Sequence, residues 1–130
     1  MDYGRGFPQA SEEQTEQMKY RIRYSPAAQD DADAIWDDLA EFLGDDDRAE
    51  AYVEGIADEI ASVREYPKSG SPLYYGHLFT GFYWVLYRNH KAFYRIIDDW
   101  IEIARILHAK SDYMTVLFED EPEFFGDPYE

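Results

Sequence analysis

Cysteine is absent from the 130 residues, which removes disulfide scaffolds, thiolate zinc sites and cysteine nucleophiles together and makes a reducing compartment the simplest setting. Long apolar runs are missing as well. No hydrophobic stretch approaches the roughly 20 residues of a membrane-spanning helix, and the first 19 residues hold four acids and no apolar run, unlike a secretory leader. The chain is therefore expected to be soluble and cytoplasmic, with no membrane partner. Positive charge is scarce, with 12 Lys and Arg against 28 Asp and Glu and a formal charge of −16. Such a balance disfavours nonspecific binding to nucleic acid, which depends on cations displacing counterions from phosphates.

What is present is a length suited to one compact domain and a composition that is 45% hydrophobic and 18% aromatic. The charge is unevenly placed. Residues 1–18 carry −3, 19–25 carry +3, 26–66 carry −12, 67–118 carry +2 and 119–130 carry −6. An acidic middle is flanked by basic segments. Three parts follow: a polar arm over 1–18, expected to be disordered or loosely docked, a domain over 19–118, and an acidic tail over 119–130.

Within the domain, Lys19 to Tyr24 alternates cations with Tyr20, Ile22 and Tyr24, as a half-buried strand does. Ser25-Pro26 is a cap followed by proline at the first helical position, and Ala28, Ala32, Ile35, Trp36, Leu39 and Leu43 repeat with the helical period up to Gly44. A second helix is expected from a capping box at Asp47 and Glu50, carrying Ala49, Tyr52, Val53, Ile56, Ile60 and Val63 to Tyr66-Pro67. The stretch Lys68–Gly81 reads as a loop with a short strand near Leu78-Phe79. Three aromatic and β-branched runs follow, Phe82–Arg88, Lys91–Ile97 and Trp100–Leu107, joined by turns at Asn89-His90 and Asp98-Asp99.

A symmetric hairpin about Asp98-Asp99 places Ala92, Tyr94, Ile96, Ile101, Ile103 and Leu107 on one apolar face, which the helices must cover. Arg105 falls on that face and needs a carboxylate or carbonyl partner, which the acid-rich helices can supply. The opposite face gathers Lys91 and Arg95, joined by Lys19, Arg21 and Arg23 if the first strand enters the sheet. The expected fold is α+β, a two-helix hairpin on a four-stranded, mainly antiparallel sheet in the order β-α-α-β-β-β.

Chemical motifs are few. His77, His90 and His108 lack metal-ligand spacing, and there is no phosphate-cradling glycine loop, dinucleotide fingerprint or nucleophile elbow. No cofactor or metal is expected. A metal-free ribonuclease would need an acid, a base and cations on the polar sheet face, where Lys91, Arg95 and His108 are the candidates.

The segments Tyr24-Ser25-Pro26-Ala27-Ala28, Tyr66-Pro67, Ala92-Phe93-Tyr94-Arg95-Ile96 and Ile101 to His108, followed by Asp112, resemble the RelE/ParE superfamily of type II toxin-antitoxin toxins, most closely its ParE-like branch. The resemblance covers residues 19–118. It implies a growth-arresting toxin, of the plasmid-stabilisation type, neutralised by a cognate antitoxin whose flexible segment wraps it, with operator DNA contacted only through the antitoxin. ParE-like members poison DNA gyrase, whereas RelE-like members cleave messenger RNA on the ribosome. Lys91 stands where the ribonucleases carry an arginine, Lys110 or Ser111 where a second is expected, and Leu117 in place of the terminal tyrosine. Arg105 and His108 match the ParE-like pattern, although its early strand arginine is absent near Tyr83. Residues expected to bind target or antitoxin are Arg21, Arg23, Lys91, Arg95, Arg105, His108 and Asp112. Inhibition of gyrase is the expected function, with a ribosome-dependent messenger-RNA endoribonuclease or a non-toxic protein-binding module of the same fold as alternatives.

Overall fold

The computed structural model describes residues 20–118. The expected arm, Lys19 and the acidic tail lie outside them. Strand β1 (Arg21–Tyr24) leads into helix α1 (Pro26–Leu43), which is followed by helix α2 (Asp46–Ala61) and a 3-10 turn at Pro67–Ser69. Strands β2 (Ser71–Tyr75), β3 (Leu78–Tyr87), β4 (His90–Ile97) and β5 (Trp100–His108) come next, then a short helix α3 (Tyr113–Phe118). The sheet has five strands in the order β1-β5-β4-β3-β2. Only β1 runs parallel to its neighbour, β5; the other pairings are antiparallel. Neither α1, α2 nor α3 is long and apolar enough to cross a membrane.

Each helix boundary has a local cause. The Ser25 hydroxyl accepts from the Ala28 amide at 3.0 Å and Pro26 opens α1 with its φ already set. Gly44 ends it in the left-handed conformation, φ 65°, its amide bonded to the Ala40 carbonyl. Helix α2 begins two residues before the expected capping box, because Asp45 accepts from the Asp47 and Arg48 amides at 3.0 and 3.2 Å. Glu50, freed from capping, instead accepts from Trp36 Nε1 at 3.2 Å and ties the two helices together.

The expected four-stranded sheet is one strand short. The segment taken as a loop contains β2, an edge strand in which Pro72 is tolerated because only one side of it must pair, and the short strand near Leu78-Phe79 is the start of a ten-residue β3. The turn between β3 and β4 is Arg88-Asn89 rather than Asn89-His90, with Arg88 at φ 52° and its counterpart Asp98 at φ 55°.

The β4–β5 register agrees with the symmetric expectation from Ile97↔Trp100 to Tyr94↔Ile103 and then shifts, so that Phe93 faces Arg105 and Ala92 faces Ile106. Ala104 is the extra residue of a β-bulge, and one inserted residue exchanges the faces of everything beyond it. Ile106 therefore joins the helix-side core with Ala92, Tyr94, Ile101 and Ile103, while Leu107 turns to the opposite side.

The main core lies between the hairpin and the sheet, with Ala28, Ile35, Ile56, Ile60 and Val63 of the helical half meeting those strand residues. Tyr94 is buried there. Its hydroxyl donates to the Pro67 carbonyl at 2.6 Å, and desolvation raises its pKa to about 12. Tyr87 packs closely on α2 at Gly55, where any Cβ would require the end of its ring to move. A second, smaller core forms on the other face, where Leu117 and Phe118 of α3 cover Leu73, Phe82 and Phe93. The sheet is thus not open across its whole polar face, as the sequence alone suggests; α3 closes the part over β3 and β4.

Candidate functional site

The helix-free face left uncovered by α3 carries most of the expected binding residues. Arg21 and Arg23 alternate with Ile22 and Tyr24 in β1, and because the latter pack into the main core, both arginines point away from it. Their guanidinium carbons lie 4.2 and 4.8 Å from the centre of the Trp100 ring, which they flank. Arg21 Nη2 also pairs with Asp99 at 3.2 Å. Glu102 stands between two cations, 3.1 Å from Arg95 Nε and 3.5 Å from Arg23 Nε. Arg95 in turn lies 5.5 Å from the Phe82 ring. Farther along β4, the Lys91 ammonium sits 3.9 Å above Trp84 and donates to the Tyr113 hydroxyl at 3.2 Å.

Cations alternating with aromatic rings and with one shared carboxylate make a surface that holds its charges in place yet leaves them partly exposed. Exposed ion pairs of this kind contribute little to stability, about 0–1 kcal/mol each. Their geometry is better suited to presenting charge to a partner.

Arg105 is placed differently. Strand β1 stops beside Ile103, so the edge of β5 beyond it has no strand neighbour, and Asp31 of α1 fills the gap. Its carboxylate accepts from Arg105 Nε at 2.7 Å, Arg105 Nη2 at 2.9 Å and the Ile106 amide at 2.9 Å. The carboxylate partner expected for Arg105 is present, supplied by the acidic helix, but the bulge sets Arg105 opposite Phe93 on the side away from the main core rather than on the helix-covered face expected. Asp112 is a helix cap: it accepts from the Thr115 amide at 3.4 Å and from the Thr115 hydroxyl at 2.9 Å.

His108 lies apart from the other ribonuclease candidates. Its ring is 5.4 Å from that of its cross-strand partner His90. The His90 Nδ1 and the Tyr52 hydroxyl of α2 share a hydrogen bond of 2.9 Å, which puts His90, and with it its cross-strand partner His108, on the helix-covered side. Burial, and then the charge of His108, hold the His90 pKa below the ordinary value. Lys91 and Arg95 face the other way, and being four positions apart in the strand they stand roughly 13 Å apart along β4. Among the described residues these candidates therefore do not gather into one acid-base pair with cations. The elements that sequence reasoning missed here, the bulge at Ala104 and helix α3, carry weak signals: a single small residue in β5, and an apolar six-residue segment after Asp112.

Comparisons with known proteins agree with the fold. The family described as ParE toxin of type II toxin-antitoxin system, parDE, matches residues 22–113. A structure of the chromosomal ParDE toxin-antitoxin system from P. aeruginosa has the same fold, with a TM-score of 0.60, 21% identity and coverage of 72% of this chain and 99% of the other. A chain of the RelBE2 toxin-antitoxin complex from Mycobacterium tuberculosis is 20% identical over 69% of this chain and 98% of its own, with a TM-score of 0.45. No curated protein matches the sequence significantly. With its family match spanning from β1 to the start of α3, the chain belongs to the ParE toxin family of type II toxin-antitoxin systems.

Proposed function

We propose that the protein arrests growth by inhibiting DNA gyrase and is neutralised by a cognate antitoxin that binds its helix-free face. Family membership supports the toxin reading. The single observation that favours gyrase over the ribosome is the separation of Lys91 and Arg95 from His108 on opposite faces of the sheet. Ribonuclease catalysis needs a positioned acid and base together with a cation at the developing phosphorane charge, and removal of one such group typically costs about 2.7–4 kcal/mol of transition-state stabilisation. Inhibition by binding needs only complementarity and a few anchors.

The anchors in this reading are Arg21, Arg23, Arg95 and Lys91 with Trp100 and Trp84 between them. Arg105 and Asp112 act through the structure, by closing the β5 edge and starting α3. The antitoxin is expected to be a small protein encoded beside this one, with a DNA-binding half through which the pair reaches its operator. Inducing the full chain in cells without antitoxin is expected to stop growth with DNA damage and filamentation while messenger RNA stays intact. Prompt cleavage of transcripts at ribosomal A-site codons, abolished by Lys91→Ala or His108→Ala, would instead establish the nuclease.

A further inference from the structure

Strand β5 lies between β1 and β4, and the register sets Arg23, Glu102 and Arg95 in one row across the three strands. Their side chains meet on the helix-free face. Neighbouring strands are about 4.8 Å apart, so the two arginines leave the sheet about 10 Å from each other, and a single carboxylate reaches both only from between them. Glu102 stands there, with Oε1 3.1 Å from Arg95 Nε and Oε2 3.5 Å from Arg23 Nε.

We propose that this position is an exchangeable carboxylate site: an Asp or Glu side chain of a protein partner takes it over from Glu102, which competes for the two arginines and so sets the partner's affinity. The exchange rests on the reading that the helix-free face binds a protein partner, and it adds which group that partner must bring and what holds it off.

The first support is how Glu102 is held. One carboxylate is divided between two guanidinium groups: Arg95 donates to it through Nε alone, and Arg23 meets it only as an ion pair. Among the described residues neither arginine has another carboxylate partner. Arg105 shows the contrast, since its Nε and Nη2 both donate to Asp31, at 2.7 and 2.9 Å, in the two-pronged geometry that fixes guanidinium and carboxylate together. An arriving carboxylate can use both prongs of Arg95, which Glu102 does not. Access is the second support. The side chains of Arg23 and Arg95 are 43% and 34% exposed against 21% for Glu102, so an incoming acid meets the cations before it meets their present partner. Charge is the third. Two cations against one carboxylate leave the row at a net +1, which draws an acidic group toward it before Glu102 yields. Being tethered, Glu102 competes at a high effective concentration, so a free carboxylate binds weakly and one delivered by a docked partner displaces it. The face is thereby closed to stray anions and open to a partner with an acid in register.

Acetate is the probe, titrated into the full-length protein against chloride at equal ionic strength and read from the NMR signals of the Arg23 and Arg95 Nε–Hε groups. Glu102→Gln removes the competing charge at nearly constant shape and is expected to lower the acetate midpoint at least about five-fold relative to wild type. Glu102→Ala, whose side chain cannot accept from either arginine, should move it in the same direction. Adding Arg23→Gln or Arg95→Gln to Glu102→Gln should abolish the response, with unchanged amide signals at Ile35 and Ile60 showing that the main core is kept. Equal midpoints in wild type and Glu102→Gln, or a response that survives loss of either arginine, would overturn the proposal. So would tighter binding of dimethyl phosphate than of acetate, which would make a nucleic-acid backbone the occupant. The titration involves neither gyrase nor antitoxin. Exchange without growth arrest would therefore remove the target and leave the site, and growth arrest without exchange would do the reverse.

Discussion

At the residue scale two polar contacts, one part-buried and one buried, tie the sheet to the rest of the fold. Asp31 replaces a strand neighbour where β1 stops short, satisfying the β5 edge at Ile106 and the guanidinium of Arg105 with one carboxylate. Its removal takes two charge-assisted hydrogen bonds from a half-buried cation and one from an amide, and hydrogen bonds to charged groups are worth about 1.5–3 kcal/mol. Asp31→Ala is therefore expected to lower unfolding stability by about 2–3 kcal/mol in urea titrations, whereas alanine at the exposed neighbour Asp30 should change it by less than about 0.5 kcal/mol. Tyr94 is the second. Burial lifts its phenol to about 12 against an ordinary 10, so between those values the unfolded chain releases a proton that the folded one keeps. Stability from this group is full below pH 10 and falls as pH rises, by about 1.4 kcal/mol at pH 11. Chemical denaturation of the wild type and Tyr94→Phe across pH 8–11 should show a steeper decline in the wild type; parallel curves would contradict the assignment.

Helix α3 is the smallest element and an unexpected one. It seals the second core by placing Phe118 on Phe82 and Leu117 beside Phe93. Phe→Ala changes in cores typically cost about 3–5 kcal/mol, and Phe118→Ala, at a buried position, is expected within that range, measured as a shift in urea midpoint with an unchanged slope. The helical hairpin was legible in the sequence because 3.6-residue periodicity and the Ser25, Pro26 and Gly44 signals agree with one another. Strand β1 was legible by strict alternation, and the partner of Arg105 by the cost of burying a lone charge. Strand β2 was not, since Gly70, Ser71 and Pro72 are breaker residues unless the strand lies at an edge. The bulge at Ala104 leaves no mark in local propensity: Ile106 and Leu107 are both apolar, so either could face the helices, and tertiary packing alone selects Ile106. For the same reason the separation of His108 from Lys91 could not be read before the register of β4 and β5 was known.

Over the whole molecule the charges are sorted by layer. Residues 26–66, the helical layer, carry −12, while the free face of the sheet presents Arg21, Arg23, Lys91 and Arg95. A strongly acidic protein thereby keeps one face with a surplus of cations. Approach by an acidic surface is steered toward it and approach by bare nucleic acid is opposed by the rest. This arrangement favours a protein target over an RNA substrate, in line with the scattered ribonuclease candidates. Supercoiling by purified DNA gyrase, with the full-length protein titrated in, tests the reading most directly. Supercoiling is expected to be inhibited with accumulation of cleaved DNA, and Arg95→Glu is expected to weaken inhibition at least ten-fold while leaving the fold intact. Undiminished supercoiling at saturating protein, accompanied by cleavage of messenger RNA on programmed ribosomes, would contradict it.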